Sequence, residues 1–308
     1  MDHLLSLADI PPKVFATLLK RATHIKKNQK QYARKLYEKT LLTMFEAPSL
    51  RTRISFEVAM TQLHGGTINF QTDRSPWGMG KESIEDVART ISQYCDLVAA
   101  RIYSHKELVT LAKYASVPVI NMMTNDGHPC QILGDFLTIQ ENIKQKKFKI
   151  AYLGDAKNNV TYSLMRACAI TGNTLAIACP TKKAYYPEKH FITEAQKLAR
   201  KYKGKITITK TARDAVKNAD IVYTDSWMSY RIPPKEKKQR SKDLKPYQVT
   251  PAIMKQAKKT AKFMHCLPAT RGHEVTASVI DGKQSIVFTQ AQNRLHIQKA
   301  VLLTLAGK

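Results

Sequence analysis

The stretch TLLTMFEAPSLRTRISFEVAMTQL (residues 40–63) joins a short apolar segment to an amphipathic one. Its first six residues are apolar or threonine, a pattern typical of a buried β-strand. In residues 51–63, Ile54, Val58 and Leu63 recur close to one face at helical spacing. The stretch therefore predicts a strand followed by a helix, which is the repeating unit of an α/β protein.

The same alternation continues along the chain. Nine further strands are predicted, at residues 67–70, 97–102, 117–122, 148–153, 174–178, 206–209, 221–224, 263–266 and 285–288. Strands separated by helices pair in parallel, and the helices cover both faces of the sheet. The predicted fold class is α/β, with two doubly wound parallel-sheet domains.

The domain boundary is predicted after a long helical stretch, residues 128–145, which ends in a lysine-rich turn before the strand at residue 148. A chain of 308 residues exceeds what one hydrophobic core normally holds. We predict a first domain at residues 1–145, a second domain at residues 146–288, and a C-terminal segment at residues 289–308. A last helix is expected at residues 291–305.

The composition excludes several classes of protein. With 43% hydrophobic and 24% charged residues, it is globular rather than disordered or fibrous. The apolar runs are far shorter than the roughly 20 residues that cross a bilayer, and no basic, apolar leader opens the sequence. Five scattered cysteines without paired Cys/His spacing argue against a disulfide framework or a structural metal. A cytoplasmic location is the resulting expectation.

The net charge of +26 is the outlying property of the composition. Basic runs occur at residues 26–30, 144–147, 201–205 and 235–240. Gln and Glu interrupt some of these runs, and none resembles a base-reading motif, which favours a solvated surface over a nucleic-acid interface. Attraction of an anionic substrate would be a by-product of such a surface. The competing function class is a basic nucleic-acid-binding protein on an inactive enzyme scaffold.

Polar residues follow several of the predicted strands, and ligands collect at the carboxyl ends of strands in open parallel sheets. Ser49, Arg51 and Thr52 open the helix after the first strand. A helix N-terminus with hydroxyl and guanidinium groups can hold a phosphate, although the same pattern also fits an ordinary N-cap. Arg101 lies at the end of the third predicted strand.

A turn after the fourth strand leads into a helix whose first residues include His128 and Gln131. Side chains three residues apart project from a first turn toward one ligand. His128 followed by Pro129 is also typical of a plain helix start, with a cap and a first-turn proline. Residues 265–268 and 292–294 add further polar groups, at a strand end and a helix start.

Six ordered motifs, which span nearly the whole chain, resemble the aspartate/ornithine carbamoyltransferase family, and in particular its ornithine branch. They are SLRTR (49–53), HPCQ (128–131), DAKNN (155–159), DSWMS (225–229), HCLPATRG (265–272) and NRLH (293–296). The resemblance implies that helices join the two domains and that the C-terminal helix packs back on the first. It implies transfer of a carbamoyl group from carbamoyl phosphate to the δ-amino group of L-ornithine, giving L-citrulline and phosphate.

The resemblance also implies which residues bind each substrate. The implied catalytic residues are Arg51, Arg101, His128, Gln131 and Cys266. The implied ligands of carbamoyl phosphate are Ser49, Leu50, Arg51, Thr52, Trp77, Arg101, His128, Gln131, Cys266, Leu267 and Arg294. The implied ligands of ornithine are Asn159, Asp225, Ser229 and Tyr230. Donors aimed at an oxygen that gains charge in a tetrahedral transition state suit this chemistry.

The resemblance further implies direct attack by the amine, with no metal ion and no organic cofactor. The expected partners are the two small-molecule substrates, with no membrane partner. The implied assembly is a homotrimer or a multiple of trimers with shared active sites, in which Trp77 is lent to a neighbouring site. A place in arginine metabolism follows, and its direction stays open.

Three segments depart from the ornithine branch. Leu50 replaces a Thr and Trp77 replaces a Gln, and both changes resemble the acetylornithine and succinylornithine carbamoyltransferases. Against this, residues 269–272 continue in the ornithine style. Tyr230 and Arg231 replace Met and Gly in a loop expected to close on the amino acid, before a segment predicted to be a mobile lid. A related amine, namely N-acetylornithine, N-succinylornithine, putrescine or lysine, is therefore the alternative acceptor.

Overall fold

The computed structural model describes residues 1–229 and 232–308, which divide into two compact units. The first unit comprises Met1–Leu137 and Gln292–Lys308, and the second comprises Thr138–Ala291. The divisions fall inside two helices, Pro129–Asn142 and Val287–Leu305, so each of these helices contributes residues to both units. Most of the C-terminal helix thus belongs to the first unit, as the family resemblance implies.

The first unit is built on a parallel sheet of four strands in the order β2-β1-β3-β4. The strands are β1 (Thr40–Phe45), β2 (Gly66–Gln71), β3 (Leu97–Arg101) and β4 (Val119–Met123). All four lie within two residues of their predicted bounds. Because β3 is buried along its whole length, its apolar residues form the centre of this core.

The second unit is built on a parallel sheet of five strands in the order β7-β6-β5-β8-β9. The strands are β5 (Lys149–Leu153), β6 (Thr174–Ala178), β7 (Lys205–Thr209), β8 (Ile221–Thr224) and β9 (Lys262–His265). Each lies within one residue of its prediction. The two parallel sheets confirm the predicted fold class.

Helices connect the strands throughout, as parallel pairing requires. The helices that begin in the first unit are α1 (Pro12–Lys27), α2 (Gln29–Tyr32), α3 (Leu50–Gln62), α4 (Ile84–Ile91), α5 (His105–Tyr114) and α6 (Pro129–Asn142). Those that begin in the second are α7 (Asn159–Thr171), α8 (Lys189–Tyr202), α9 (Ala212–Val216), α10 (Lys237–Leu244), α11 (Pro251–Met254), α12 (Ala277–Ile280) and α13 (Val287–Leu305). Short 3₁₀ turns occur at Thr72–Arg74, Pro234–Glu236 and Lys245–Tyr247. Within the described ranges no helix has both the length and the apolar character of a bilayer span.

The predicted strand at residues 285–288 is wrong. Only Ser285 forms a bridge, with Phe263 of β9, and α13 begins two residues later at Val287. The apolar run misled the prediction because it is not buried throughout: Phe288 is 69% exposed. The last helix consequently starts four residues earlier than predicted.

The predicted apolar face of α3 is only partly correct. Leu63, directly after the helix, is fully buried, whereas Ile54 is 50% exposed. The helix instead buries Phe56, Ala59 and Met60, which are three and four residues apart and form a face of their own.

Candidate active site

The start of α3 forms the first part of the candidate site, directly after the carboxyl end of β1. Ser49 is the N-cap, and its side-chain oxygen accepts the backbone N–H of Thr52 at 3.2 Å. Thr52 is buried and Arg51 is partly exposed. The positive end of the helix dipole and the Arg51 guanidinium together favour a bound anion. Ser49 is therefore both an N-cap and part of a potential phosphate cradle.

Arg101 and His128 lie at the carboxyl ends of neighbouring strands. Arg101 is the last residue of β3 and pairs in register with Phe45, the last residue of β1. His128 follows β4 and directly precedes α6, in which Pro129 is the first residue. Both side chains are buried, with exposed fractions of 8% and 6%. The strand order β1-β3-β4 therefore collects these two groups and the start of α3 at one edge of the sheet.

Arg294 on α13 ties two of these elements together. One terminal NH₂ group donates to the Gln131 Oε1 atom on α6, and the other donates to the Thr52 Oγ1 atom on α3 at 3.2 Å. Gln131 in turn donates through Nε2 to Asp135 Oδ1 at 2.8 Å. These contacts fix the orientation of the Gln131 amide, because its oxygen faces a guanidinium and its NH₂ faces a carboxylate.

Burial and positive charge set the protonation of His128. Burial lowers the pKa of His128 well below its ordinary value, and the charges of Arg294, Arg101 and Arg51 lower it further. All three guanidinium groups therefore lie close enough to act on one imidazole. The result is a neutral histidine inside a positively charged cluster. The cluster suits an anion with an adjacent polar group.

Two departures from the family pattern, Leu50 and Trp77, lie in the same unit. Leu50 is the first residue of α3 and is 69% exposed. Trp77 is partly buried and packs against the core of the first unit. It precedes Gly78 in a tight turn, where an added Cβ would collide with the carbonyl oxygen of Thr72. The role of Trp77 in a neighbouring subunit stays a prediction.

The second unit contains the predicted amino-acid ligands. Asp225 directly follows β8 and Cys266 directly follows β9, and these strands are neighbours. The Cys266 thiol donates to Asp225 Oδ1 at 2.9 Å. Asn159, partly exposed, is the first residue of α7, and Ser229 is exposed. The structure thus brings Asp225 and Cys266 into direct contact.

Two of the sequence predictions need a separate comment. Tyr230, predicted to bind ornithine, lies outside the described residues together with Arg231. Cys266 and Leu267, predicted to contact carbamoyl phosphate, belong to the second unit with the amino-acid ligands. Leu267 has a left-handed backbone, with φ of 58°, which is costly for a leucine and is concentrated at functional sites in proteins.

The His265 side chain holds the backbone at Leu267 in place. Its Nδ1 atom accepts the backbone N–H of Leu267 at 2.8 Å, and its Nε2 atom lies 3.4 Å from Glu274 Oε1. Because Nδ1 accepts, a neutral His265 carries its proton on Nε2, facing Glu274. Both side chains are almost completely buried. The pair fixes the start of the segment that follows β9.

Asp225, His265 and Cys266 are the described residues whose side chains could together hold a metal ion. One ligand atom from each lies within 4.8 Å of the others. The thiol and the carboxylate are hydrogen-bonded to each other, and Nδ1 of His265 already accepts a backbone N–H. The arrangement is a closed polar cluster, so a metal would have to break these contacts to bind.

Sequence reasoning missed two residues that support the site. Asp135 orients Gln131. The sequence pattern that could have predicted this contact is their spacing of four residues, which places both side chains on one helix face. Arg240 was assigned to a solvated basic run, and this is wrong, because Arg240 is only 5% exposed. The sequence pattern that could have predicted its burial is the apolar Leu244, which lies four residues later on the same face of α10 and is fully buried. The other three basic runs are mostly exposed, as expected.

Comparisons with known proteins match the two parts of the chain to two domains of one family. Residues 2–141 match the profile described as the aspartate/ornithine carbamoyltransferase carbamoyl-P binding domain. Residues 146–305 match the Asp/Orn binding domain of the same family. The chain belongs to the aspartate/ornithine carbamoyltransferase family.

Individual relatives resemble the chain over its whole length. The ornithine carbamoyltransferase of Methanococcus aeolicus is 42% identical over 308 residues, which cover 99% of this chain and 100% of that protein. The ornithine carbamoyltransferase structure from Pyrococcus furiosus has a TM-score of 0.93 at 42% identity and covers 99% of this chain and 97% of its own. The ornithine transcarbamoylase structure from Giardia lamblia has a TM-score of 0.90 at 40% identity and covers 99% and 98% of the two chains.

Proposed function

We propose that the chain transfers the carbamoyl group of carbamoyl phosphate to the δ-amino group of L-ornithine, giving L-citrulline and phosphate. The observation that carries this proposal is the cluster around His128, in which three arginine charges surround a neutral, buried imidazole. The start of α3 adds a helix N-terminus with a hydroxyl cap. A phosphate dianion joined to a polar carbonyl group matches this combination of positive charge and neutral donors.

Each polar group of the cluster has a proposed role in binding carbamoyl phosphate. Ser49, Arg51, Thr52 and the backbone N–H groups at the start of α3 bind the phosphate, with Arg101 and Arg294 completing the positive field. A neutral His128 donates a hydrogen bond to the carbamoyl oxygen together with Arg101 and Thr52. These donors stabilise the oxygen as it gains negative charge in the transition state.

Gln131 is suited to bind the carbamoyl NH₂ group. Its Oε1 atom accepts from Arg294, and a carbonyl oxygen has a second lone pair that can accept from a substrate N–H. Asp135 holds the amide in this orientation through Nε2. A flipped amide would present a donor to another donor, so Asp135 contributes indirectly to recognition of the substrate.

The second unit is suited to bind the amino acid. The Asp225 carboxylate pairs with the α-ammonium group, and Asn159 and Ser229 donate to the α-carboxylate. Cys266 and the carbonyl group of Leu267 lie beside the side-chain amine in this proposal, and Tyr230 completes the set. The δ-amine attacks directly. A C–N bond forms, the bond from the carbonyl carbon to the phosphate oxygen breaks, and the amine nitrogen loses one proton.

The family resemblance supports the proposed assembly. We place three chains around a common axis, with Trp77 of each chain contributing to a neighbouring site, and we place the protein in the cytoplasm. The proposed reaction uses the two substrates alone, without a metal ion or an organic cofactor.

An assay of citrulline formation tests the reaction and the amine acceptor. Carbamoyl phosphate is supplied with ornithine, N-acetylornithine, N-succinylornithine, putrescine or lysine in turn. We expect turnover with ornithine and little with the other four. An enzyme that carbamoylated N-acetylornithine or N-succinylornithine instead would assign Leu50 and Trp77 to a different substrate.

Two variants test which residues bind each of the two substrates. Arg51→Ala should raise the KM for carbamoyl phosphate by about 10- to 100-fold, the effect of a lost charge-assisted hydrogen bond. Arg53→Ala is the matched control, because Arg53 lies two residues along the same helix, pairs with Glu57 and is exposed.

Asp225→Ala should raise the KM for ornithine and leave the affinity for carbamoyl phosphate unchanged. Unchanged ornithine affinity in Asp225→Ala would contradict the proposed amino-acid site.

A further inference from the structure

Two loops of the second unit carry the proposed ligands of the amino acid. The β5 loop, residues 154–159, follows β5 and ends at Asn159. The β8 loop, residues 225–229, follows β8 and contains Asp225 and Ser229. Neither loop has regular secondary structure before Asn159 begins α7, so contacts outside the two sheets must hold their relative positions.

One buried side chain, that of Arg240 on α10, bridges the two loops. Its Nε atom donates to the carbonyl oxygen of Trp227 in the β8 loop at 3.0 Å. A terminal NH₂ group donates to Asp155 Oδ2 in the β5 loop. The two contacts use different nitrogen atoms of a rigid, planar fork, so they fix the loops in distance and in angle.

Asp155 connects this bridge to the start of α7. Its Oδ1 atom accepts the backbone N–H of Lys157 at 3.0 Å. Its carbonyl oxygen accepts from Tyr152 and from the Asn158 side chain, each at 2.7 Å. Asn158 is also the N-cap of α7, since its Oδ1 atom accepts the N–H of Thr161 at 2.9 Å. The position of Asn159 therefore depends on the same group of contacts as Asp155.

Packing around Arg240 holds the guanidinium in place. The guanidinium carbon lies 5.0 Å from the centre of the Tyr185 ring, and the Tyr185 hydroxyl donates to Asp243 at 2.9 Å. Tyr185, Trp227 and Leu244 form a small apolar cluster beside it. Trp227 also packs against Gly154, where an added Cβ would lie 2.7 Å from the indole nitrogen.

We propose that Arg240 and Asp155 are positioning residues for the amino-acid substrate, whose buried ion pair holds the β5 and β8 loops in the spacing that lets Asn159, Asp225 and Ser229 bind one molecule. The inference rests on the proposed function. Burying an ion pair contributes little net stability, because desolvation offsets most of the attraction. The proposed role of this ion pair is to fix the spacing of the two loops. Loss of either partner leaves the other buried charge unpaired and releases the loops.

The pair also makes amino-acid binding dependent on pH. Burial raises the pKa of Asp155 to about 6, although Arg240 and the Lys157 N–H oppose the shift. Below about pH 6 the protonated carboxyl group no longer neutralises Arg240, so the bridge weakens. The charged and titratable groups that act on or respond to Asp155 are Arg240, Asp225, Tyr152, Cys179 and Tyr185.

Binding of L-norvaline tests the proposal without the complication of a titrating side-chain amine. Norvaline keeps the α-amino and α-carboxyl groups of ornithine, and its affinity is measured by calorimetry at saturating carbamoyl phosphate. We expect Arg240→Lys and Asp155→Asn to weaken norvaline binding and to raise the KM for ornithine, each by about tenfold or more, because a lysine cannot span both contacts. The KM for carbamoyl phosphate should stay within about twofold of wild type.

Two matched controls separate positioning from general stability. Arg166 is a buried arginine of the same unit that pairs with Glu194 and lies 5.0 Å from the Phe191 ring. Asp220 is a buried aspartate that pairs with Lys258 at the opposite end of β8. Arg166→Lys and Asp220→Asn should lower thermal stability and leave norvaline affinity unchanged. Equal effects of the two test variants and their two controls on norvaline affinity would overturn the positioning role.

The pH dependence of norvaline affinity is a second test, because a purely structural role of the ion pair would not alter it. Norvaline affinity of the wild type should fall between pH 7.5 and pH 5.5, whereas that of Asp155→Asn should already be low and nearly flat. A pH dependence shared by both proteins would assign the titration to another group and overturn the proposal. A wild type that neither bound norvaline nor used ornithine would overturn the proposed function itself, whereas normal wild-type binding with unaffected variants would overturn the positioning role alone.

Discussion

At the scale of the residue, His128 is the group whose protonation most directly affects the proposed chemistry. A lowered pKa means that the unfolded chain binds a proton near pH 6 more readily than the folded protein does. The sign follows from linkage: His128 makes folding less favourable as the pH falls below about 6.5. At neutral pH the imidazole is therefore uncharged, with one N–H group available for the proposed hydrogen bond.

We therefore predict that the ring of His128 does not titrate between pH 7.5 and pH 6. Histidine side-chain NMR on the free protein measures this directly, and the signal that disappears in His128→Gln provides the assignment. A midpoint near 6.5 for that signal would mean that the arginine cluster is more open to solvent than the geometry indicates.

Individual residues could be predicted from sequence where their chemistry is local. Ser49 and His128 open helices that follow strands, and the spacing in sequence was enough to mark them. The partners of Arg240 could not be recognised, because Asp155 and Trp227 lie 85 and 13 residues away. The charge of the run suggested a solvated surface, the spacing to Leu244 was a sequence signal of burial, and the folded contacts identify the groups that Arg240 joins.

At the scale of the element, the Ser49 hydroxyl group at the start of α3 is an N-cap and is also a proposed ligand of the phosphate. Ser49→Ala should lower the free energy of unfolding by about 0.5–2 kcal/mol, the usual effect of a lost N-cap. It should also raise the KM for carbamoyl phosphate, because the same oxygen belongs to the proposed phosphate cradle. Urea unfolding and steady-state kinetics provide the two measurements.

Thr211→Ala is the control for this prediction. Thr211 is the N-cap of α9 in the second unit and accepts the N–H of Asp214 at 3.2 Å. It should cost similar stability and leave both KM values unchanged. If Ser49→Ala matched this control in every measurement, Ser49 would be an N-cap alone.

Most elements could be predicted because parallel strands are short apolar runs between helices. The observed strands of both sheets agree with the prediction to within two residues. The exceptions arise where burial, and not composition, determines the type of element or the face that is buried. Residues 285–288 have the apolar content of a strand, yet Phe288 is exposed and Val287 already belongs to a helix. Similarly, the buried face of α3 depends on the sheet beneath it, which the helix sequence alone does not specify.

At the scale of the whole molecule, the proposed trimer makes a prediction about mixtures of variants. Trp77→Ala and Asp225→Ala should each reduce activity strongly. After dissociation and reassembly of a mixture, about one site in four should combine an intact Trp77 from one chain with an intact Asp225 from its neighbour. Activity should therefore recover on mixing, and light scattering should give the mass of three chains. No recovery would place Trp77 in the site of its own chain.

The division of the first unit into two separate parts of the sequence has a consequence for how each new molecule is made. A ribosome releases residues 138–291 before it releases Arg294, so the nascent protein possesses an entire second unit while α3 and α6 still lack the arginine that joins them. The group formed by Arg51, Arg101, His128 and Arg294 is thus completed only late in translation, although three of its four residues lie in the first half of the chain.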